Sequence, residues 1–416
     1  VENYTTDKQY RKFCAYGFLK NLRFFDPFII LFFRETGISY FQIGTLIAIR
    51  AIAVNLLEIP SGIIADSVGR RRSMIFSFAS YILAFLMFFF FNSYTLFIPA
   101  MLLYAFGEAF RTGTHKAMIL EYLRRNNQLE YKVPYYGHTR SWSQKGSALS
   151  SLIAGVIVFT TSNYHAVFIF SVIPYILELF LMMSYPSYLD YTGGEKERES
   201  ITIREKVSIT LKGLLSVIRQ PDSRRTLINS SIFDGMFKSL KDYIQPLLKS
   251  FIVTIPLFTA YSATRRIAVL SALVYFVLYM LTSTASKNSG RIAGLFRSHE
   301  KGLNIYYLFA AFIAFVTGCL VWTGFYIPAV VLFIMYYVLQ NLRRPVMTGI
   351  LSGKIPHEAM ATGLSVESQG KTLFTTIIAP VAGFLVDKFG LGAAMMILAF
   401  LLIVVYPFLK FKTPAE

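Results

Sequence analysis

The chain has 416 residues, of which 55% are hydrophobic and 15% charged, and its mean hydropathy is +0.51. Soluble domains carry about 25% charged residues, so this composition excludes an ordinary water-soluble protein of two or three domains. The formal charge of +18 does not signal a nucleic-acid binder, because the cations are scattered between apolar stretches, as in the short loops that orient a membrane-spanning chain.

The first apolar stretch covers 11–34 and follows Lys8, Arg11 and Lys12. It is too long and too charged for a cleaved leader and has no small-residue cleavage site, so it is expected to remain as a helix. Lys20, Arg23 and Asp26 follow at i, i+3, i+6, which puts them on one broad face of a continuous helix near mid-depth. Pro27 is expected to kink it. The second segment, 41–65, carries Arg50 and Glu58 eight residues apart. The third covers 73–91; the fourth, 94–117, carries Glu108, Arg111 and His115 at i, i+3, i+7. The fifth, 137–160, offers Arg140, Trp142 and Lys145, and the sixth, 165–185, offers Glu178.

A polar stretch over 186–225 then divides the chain. The seventh segment, 227–253, carries Asp234, Lys238, Lys241 and Asp242; segments follow at 261–286, 304–322 and 327–346. The eleventh, 361–385, carries Glu367 and Lys371 at i, i+4, and the twelfth covers 392–410. The expected architecture is an all-α integral membrane protein of twelve transmembrane helices in two pseudo-symmetric six-helix bundles. The first bundle is 1–185, the cytoplasmic linker 186–225 and the second bundle 226–416.

Most of the basic residues that lie between segments fall on one side. They include Arg70, Arg71, Arg72, Arg124, Arg125, Lys287, Arg291, Arg343 and Arg344, whereas the opposite breaks hold only Lys388. The positive-inside rule then predicts a plasma (inner) membrane protein with both termini and the linker in the cytoplasm. Cys14 and Cys319 sit in apolar segments and read as free thiols.

After the second segment the sequence is Gly62-Ile63-Ile64-Ala65-Asp66-Ser67-Val68-Gly69-Arg70-Arg71-Arg72. Gly62 is expected to permit close helix packing and Gly69 a tight turn. Asp66 is placed to accept from a helix N-terminus or an arginine, making a conformational latch with Arg70 and Arg71 at the anionic leaflet. This stretch resembles the signature loop of the major facilitator superfamily, G-x-x-x-D-x-x-G-R-[KR]. Gly107–Gly113 is similar to that family's fourth-helix region, and Ala379-Pro380-Val381-Ala382-Gly383-Phe384-Leu385-Val386-Asp387-Lys388-Phe389-Gly390 to the close of its eleventh helix. Two departures stand out. The corresponding second-half loop, Ser289–Gly294, lacks the signature Asp, and Gly146–Gly155 lacks the G-P-x-x-G-G pattern of the family's drug–proton antiporters.

The resemblance implies a secondary active transporter whose two halves rock around a central site. A charge at the bilayer centre costs at least about 2.5–3.5 kcal/mol, so embedded charges are expected to face water or one another. Glu108 with Arg111, Asp234 with Lys238, and Glu367 with Lys371 are spaced to neutralise each other within single helices. The alternative role for each is functional. Lys20, Arg23, Arg50, Arg111, Lys145, Lys238 and Lys371 are the substrate-binding candidates; Asp26, Glu58, Glu108, Glu178, Asp234 and Glu367 are the proton-coupling candidates. Embedded bases outnumber embedded acids by one once Lys241 and Asp242 are included, which favours an anionic or zwitterionic organic solute. The expected partners are that small solute, protons or another coupling ion, and the lipid bilayer, with no cofactor, metal or nucleic acid and a monomeric chain. No Walker loop or Cys/His cluster points to an enzyme. A multidrug or metabolite efflux antiporter is the nearest alternative, and a non-transporting receptor or scaffold the alternative from another class.

Overall fold

A computed structural model describes residues 7–190, 221–254, 258–354 and 360–411. Most of the expected linker, including Gly193-Gly194, lies outside the described residues. Every helix and strand assignment among the described residues is helical. Seven helices there are long and apolar enough to cross a membrane by length and composition alone. The remaining spans are broken or interrupted by charge, which is why a hydropathy window passes over them.

The first span is two helices, α1 (Lys8–Leu19) and α2 (Ile29–Glu35), separated by turns. The expected continuous helix over 11–34 is therefore interrupted, and Lys20, Arg23 and Asp26 all lie in the interruption rather than along one helical face. Pro27 supplies a local cause: it has no backbone donor, and its ring disfavours helical geometry at Asp26. The second and third spans are α3 (Tyr40–Val68) and α4 (Arg70–Phe90). The fourth is α5 (Tyr94–Arg111) followed by α6 (Thr114–Arg125), broken at Thr112-Gly113, so Glu108 and Arg111 are on a different helix from His115. The fifth and sixth are α7 (Lys132–Thr161) and α8 (Ala166–Met183).

The seventh span is also broken. Helix α9 (Pro221–Leu240) gives way to a 3-10 turn at Lys241–Tyr243 before α10 (Ile244–Thr254). Helices α11 (Ala263–Ala293), α12 (His299–Trp322) and α13 (Tyr326–Lys354) form the next three spans. The last two run together as α14 (Met360–Leu409), kinked at Gly390, whose φ of +81° lies in the left-handed region open to glycine.

The chain separates into two compact units. Unit 1 is Val1–Phe28 with Ile52–Val207, and unit 2 is Ile29–Ala51 with Ser208–Glu416. Helix α2 and the first part of α3 thus cluster with the later spans, where the Ile30 amide donates to Gln245 Oε1 of α10 at 2.8 Å.

Within unit 1, α1 packs on α7, and α4 packs on α5 and α8. The α1–α7 seam is backbone to backbone: a Cβ at Gly17 would meet the Thr139 carbonyl, and one at Gly146 the Phe18 carbonyl. Small residues allow this close approach, which drives helix association where the lipid removes any hydrophobic gain. Unit 2 repeats the scheme. There α9 packs on α14, and α12 packs on α13 and α14. A Cβ at Gly235 would meet Phe374, and one at Gly370 would meet Ser231. The same span-to-span pairings recur in both units, as expected of two related six-helix repeats.

Candidate functional site: a cationic cavity and a buried ion network

Unit 1 holds a cavity of about 610 Å³ bordered by α1, α6, α7 and the turn after α1. Its charged lining is Lys20, Lys116 and Arg140, with His115 beside them and no carboxylate among the lining residues. Phe13, Tyr16 and Tyr136 supply aromatic walls. The His115 ring stacks on Tyr16 with centroids 3.5 Å apart, and its Nε2 pairs with the Tyr185 hydroxyl at 3.2 Å. Lys20 Nζ lies 5.2 Å from the Tyr16 ring centroid, a cation held over an aromatic face.

Behind the cavity is Glu178, fully buried on α8, with neither carboxylate oxygen meeting a hydrogen-bond partner among the described residues. The charged groups acting on it are Lys20 and Arg111. Arg111 Nε donates to the Tyr81 hydroxyl at 3.3 Å. Arg23 pairs with Asp26 at 3.9 Å and donates to the Tyr104 hydroxyl at 3.4 Å.

Of the proposed binding cations, Lys20 lines this cavity and Arg111 and Arg23 lie in its surroundings. Lys145 does not join them. It is exposed on α7, with Nζ 4.5 Å from the Trp142 ring centroid. Lys116 and Arg140 line the cavity instead; Arg140 stands among the charges of the fifth segment but not among the expected binding cations, and Lys116 is not singled out by the sequence. Arg50 and Glu58 share α3, but Arg50 falls in unit 2 and Glu58 in unit 1.

Unit 2 contains a different arrangement. Lys371 Nζ lies 2.7 Å from Asp234 Oδ2 and 2.8 Å from Glu367 Oε1. Arg343 Nη1 lies 3.5 Å from Asp234 Oδ1, and Gln340 Nε2 donates to the same oxygen at 2.8 Å. Arg343 also donates to Asn229 Oδ1, Ser230 Oγ donates to Glu367, and the guanidinium carbon sits 4.0 Å from the Phe233 ring centroid. Two acids face two bases, so the cluster is neutral as a whole. Buried charges persist only when paired and hydrogen-bonded in this way.

The expected Glu367–Lys371 pair is present. Asp234, however, is served by Lys371 and Arg343 of other helices, while Lys238 is exposed. Placing Arg343 in a basic loop is likewise corrected: it is completely buried on α13. Asp242 pairs with Lys241 at 2.7 Å in the break of the seventh span.

The loop after α3 forms a third group. Arg70 Nη2 pairs with Asp66 Oδ1 at 3.1 Å, so the arginine of its own loop is one partner of Asp66. The helix N-terminus is served by Asp190, absent from the sequence reading: its Oδ1 accepts from the Arg71 amide at 2.7 Å, and its Oδ2 lies 3.5 Å from Arg71 Nε. Gly69, with φ of +113°, makes the turn as expected. Gly62 departs from expectation: it is exposed, and a Cβ there would meet open space.

Comparison with known proteins agrees with this architecture. Among solved structures, a nucleoside transporter, NupG, superposes with a TM-score of 0.77 at 10% identity, covering 98% of this chain and all of that one. A D-xylose–proton symporter gives 0.70 at 14% identity over 98% and 97% of the two chains, and a POT family transporter bound to a thioalcohol-conjugated peptide gives 0.71 at 13% over 98% and 96%. These likenesses concern the fold. In sequence, 90 residues are 33% identical to the uncharacterized MFS-type transporter YxaM of Bacillus subtilis (strain 168), a match spanning 22% of this chain and 23% of that protein. The profile of the Major Facilitator Superfamily matches residues 13–366, most of the chain, and with the paired six-helix pattern and the Gly62–Arg71 loop it establishes that this protein is a member of that family of membrane transporters.

Proposed function

We propose that the protein is a proton-coupled secondary transporter of a small organic anion, or of a zwitterion presenting a carboxylate or phosphate, working by alternating access. The observation that carries the reading is the cavity of unit 1, whose charged lining is Lys20, Lys116 and Arg140 with no carboxylate. Such a surface attracts an anionic group and repels a cationic one. The walls of Phe13, Tyr16 and Tyr136 favour a solute that also has an apolar or aromatic portion.

Coupling is assigned to Glu178, a buried carboxyl next to the cavity with Lys20 and Arg111 acting on it. An anion arriving at Lys20 competes with Glu178 for the same positive charge, so substrate occupancy and proton occupancy of Glu178 favour each other. Asp26, Glu58 and Glu108 remain further candidates, with Arg23 and Arg111 shaping the potential around the first span. The Asp234–Lys371–Glu367 cluster is assigned a second, slower part in coupling: proton uptake by either acid would unbalance the neutral network and favour another packing of unit 2. The protein is placed in the plasma (inner) membrane with both termini cytoplasmic, acting as a monomer.

The test is purified protein in liposomes, first screened by thermal shift against anionic, zwitterionic and cationic metabolites. An anionic hit should enter when a pH gradient is imposed. Lys116→Gln and Arg140→Gln should each weaken its binding about 10-fold, the loss of roughly 1.4 kcal/mol expected for one charge-assisted contact. Uptake confined to cations, or unchanged binding in both variants, would reject the anion assignment. Binding without flux under every gradient would favour a receptor.

A further inference from the structure

The cations of the unit 1 cavity stand at two levels rather than at one point. Tyr16 marks the first level. The His115 ring stacks on it, and Lys116 follows His115 on α6. A Cβ at Gly17 would meet the Thr139 carbonyl, which sets Arg140 of α7 near the same level. Lys20 comes four residues after Tyr16, at the C-terminal end of α1, so its backbone is about one helical turn, roughly 6 Å, further along the span. The inner end of the cavity, at the interruption of the first span, therefore holds Lys20. The outer end, nearer the start of α1, holds Lys116 and Arg140.

The two lysines are fixed by different means. At the outer end the Tyr136 hydroxyl donates to the Lys116 carbonyl at 2.8 Å, which anchors the backbone and leaves the ammonium group exposed. At the inner end Lys20 is half-buried, with Nζ 5.2 Å from the Tyr16 ring centroid. Neither lysine forms an ion pair among the described residues, and Lys116 acts on Lys20 as a like charge. A single anionic group can neutralise one end only, and it leaves the other cation unpaired inside the protein.

We propose that the cavity recognises solutes carrying two separated anionic groups, as in a dicarboxylate, with one group on Lys20 and the other on Lys116 and Arg140. The Phe13 and Tyr16 rings line the same cavity and suit an apolar or aromatic spacer between the two groups. Only the inner group competes with Glu178 for the charge of Lys20, so the inner position links binding to the proton and the outer position adds affinity. A monocarboxylate satisfies one anchor and is discriminated against by the charge it leaves bare.

The inference rests on the anion reading of this cavity, and matched probes let the two fail separately. Isophthalate, its monoamide and phenyl phosphate would be titrated calorimetrically into the purified full-length protein at mildly alkaline pH, where all are fully ionised. Phenyl phosphate carries its two charges on one group. Glutarate and its monoamide repeat the contrast with a flexible spacer. At least one diacid should bind about 10-fold more tightly than its monoamide, and isophthalate more tightly than phenyl phosphate, the usual worth of one added charge-assisted contact. Lys20→Met should cost the diacid about 10-fold but its monoamide less than about threefold, whereas Lys116→Gln should weaken both. The ligand contrast in the parent protein needs no variant, so it decides the matter even if Lys20→Met does not fold. Equal affinity of diacids and monoamides, or phenyl phosphate binding as well as isophthalate, would overturn the two-anchor arrangement and keep the anion reading. Equal losses for diacid and monoamide in Lys20→Met would do the same. Binding of none of these probes, with binding of cationic metabolites, would reject both.

Discussion

Replacing Asp234 by alanine should be among the most damaging single changes in the second unit. Lys371 lies 2.7 Å and Arg343 3.5 Å from its carboxylate. With an effective dielectric of about 20, those separations correspond to about 6 and about 5 kcal/mol of attraction before desolvation. Desolvation offsets much of that in the intact cluster, but the substitution leaves its cost in place. Arg343, with 0% of its side chain exposed, and Lys371 would then share Glu367 alone, and Gln340 would lose its acceptor. One positive charge is left uncompensated, for which a loss of about 3–5 kcal/mol is expected. The double variant Asp234→Ala/Lys371→Met is neutral again, because Arg343 and Glu367 balance. It should cost less than the sum of the single variants by at least about 1–2 kcal/mol. Equilibrium unfolding in mixed micelles, run as a double-mutant cycle, measures both quantities. Strict additivity, or a single-variant cost below about 1 kcal/mol, would refute the account of the network as mutually dependent charges.

Three further outcomes are expected. Cysteines introduced near Ser93 and Gly324 should label from outside sealed cells and one at Gly193 should not; outside labelling at Gly193 would reverse the orientation. Asp66→Asn should slow transport of an identified substrate more than about 10-fold while leaving its equilibrium binding within about twofold, since it acts on conformational exchange; equal losses would contradict a latch. Glu121 lies in the last turns of α6, past the apolar segment at 94–117, where burial works to raise its carboxyl but hydrogen bonds from Arg125 at 2.6 Å and Arg124 at 2.7 Å outweigh burial and hold it below its ordinary value of 4.5. Its stabilisation is therefore complete above that value and lost as pH falls through the lower folded value. Melting temperature should drop less steeply with acid in Glu121→Gln than in the parent, and parallel curves would show that Glu121 is not a source of the acid sensitivity.

The spans were legible because each needs a long apolar run, a local property that survives embedded charges. The breaks were not. A helix with charges at i, i+3, i+6 satisfies the sequence pattern as well as a broken one, and only the contacts of Arg23 with Tyr104 of another span and of Lys20 with the Tyr16 ring of its own show where these groups rest. Arg343 failed for a related reason. Arg343-Arg344-Pro345 reads as a basic turn, yet its complement is Asp234 and Asn229, more than 100 residues earlier. A signal was available in the polar stripe Tyr336, Gln340 and Arg343, at i, i+4, i+7, on a helix that opens with an apolar run. Asp190 and Lys116 carried no such signal, since single charges near a helix end are expected of any membrane protein.

The interruption in the first span also bears on how the chain is made. Its three charges would burden insertion of an isolated helix by roughly 2.5–3.5 kcal/mol apiece at mid-bilayer. Two groups that hold the interruption arrive later in synthesis: Tyr104, whose hydroxyl accepts from Arg23, is on the fourth span, and Tyr175, whose hydroxyl donates to the Lys20 backbone carbonyl, is on the sixth. This span is therefore translated before the spans that hold it in place. Its interruption is tied down only once Tyr104 and Tyr175 have been translated, which makes the first unit an assembly completed by its last helix.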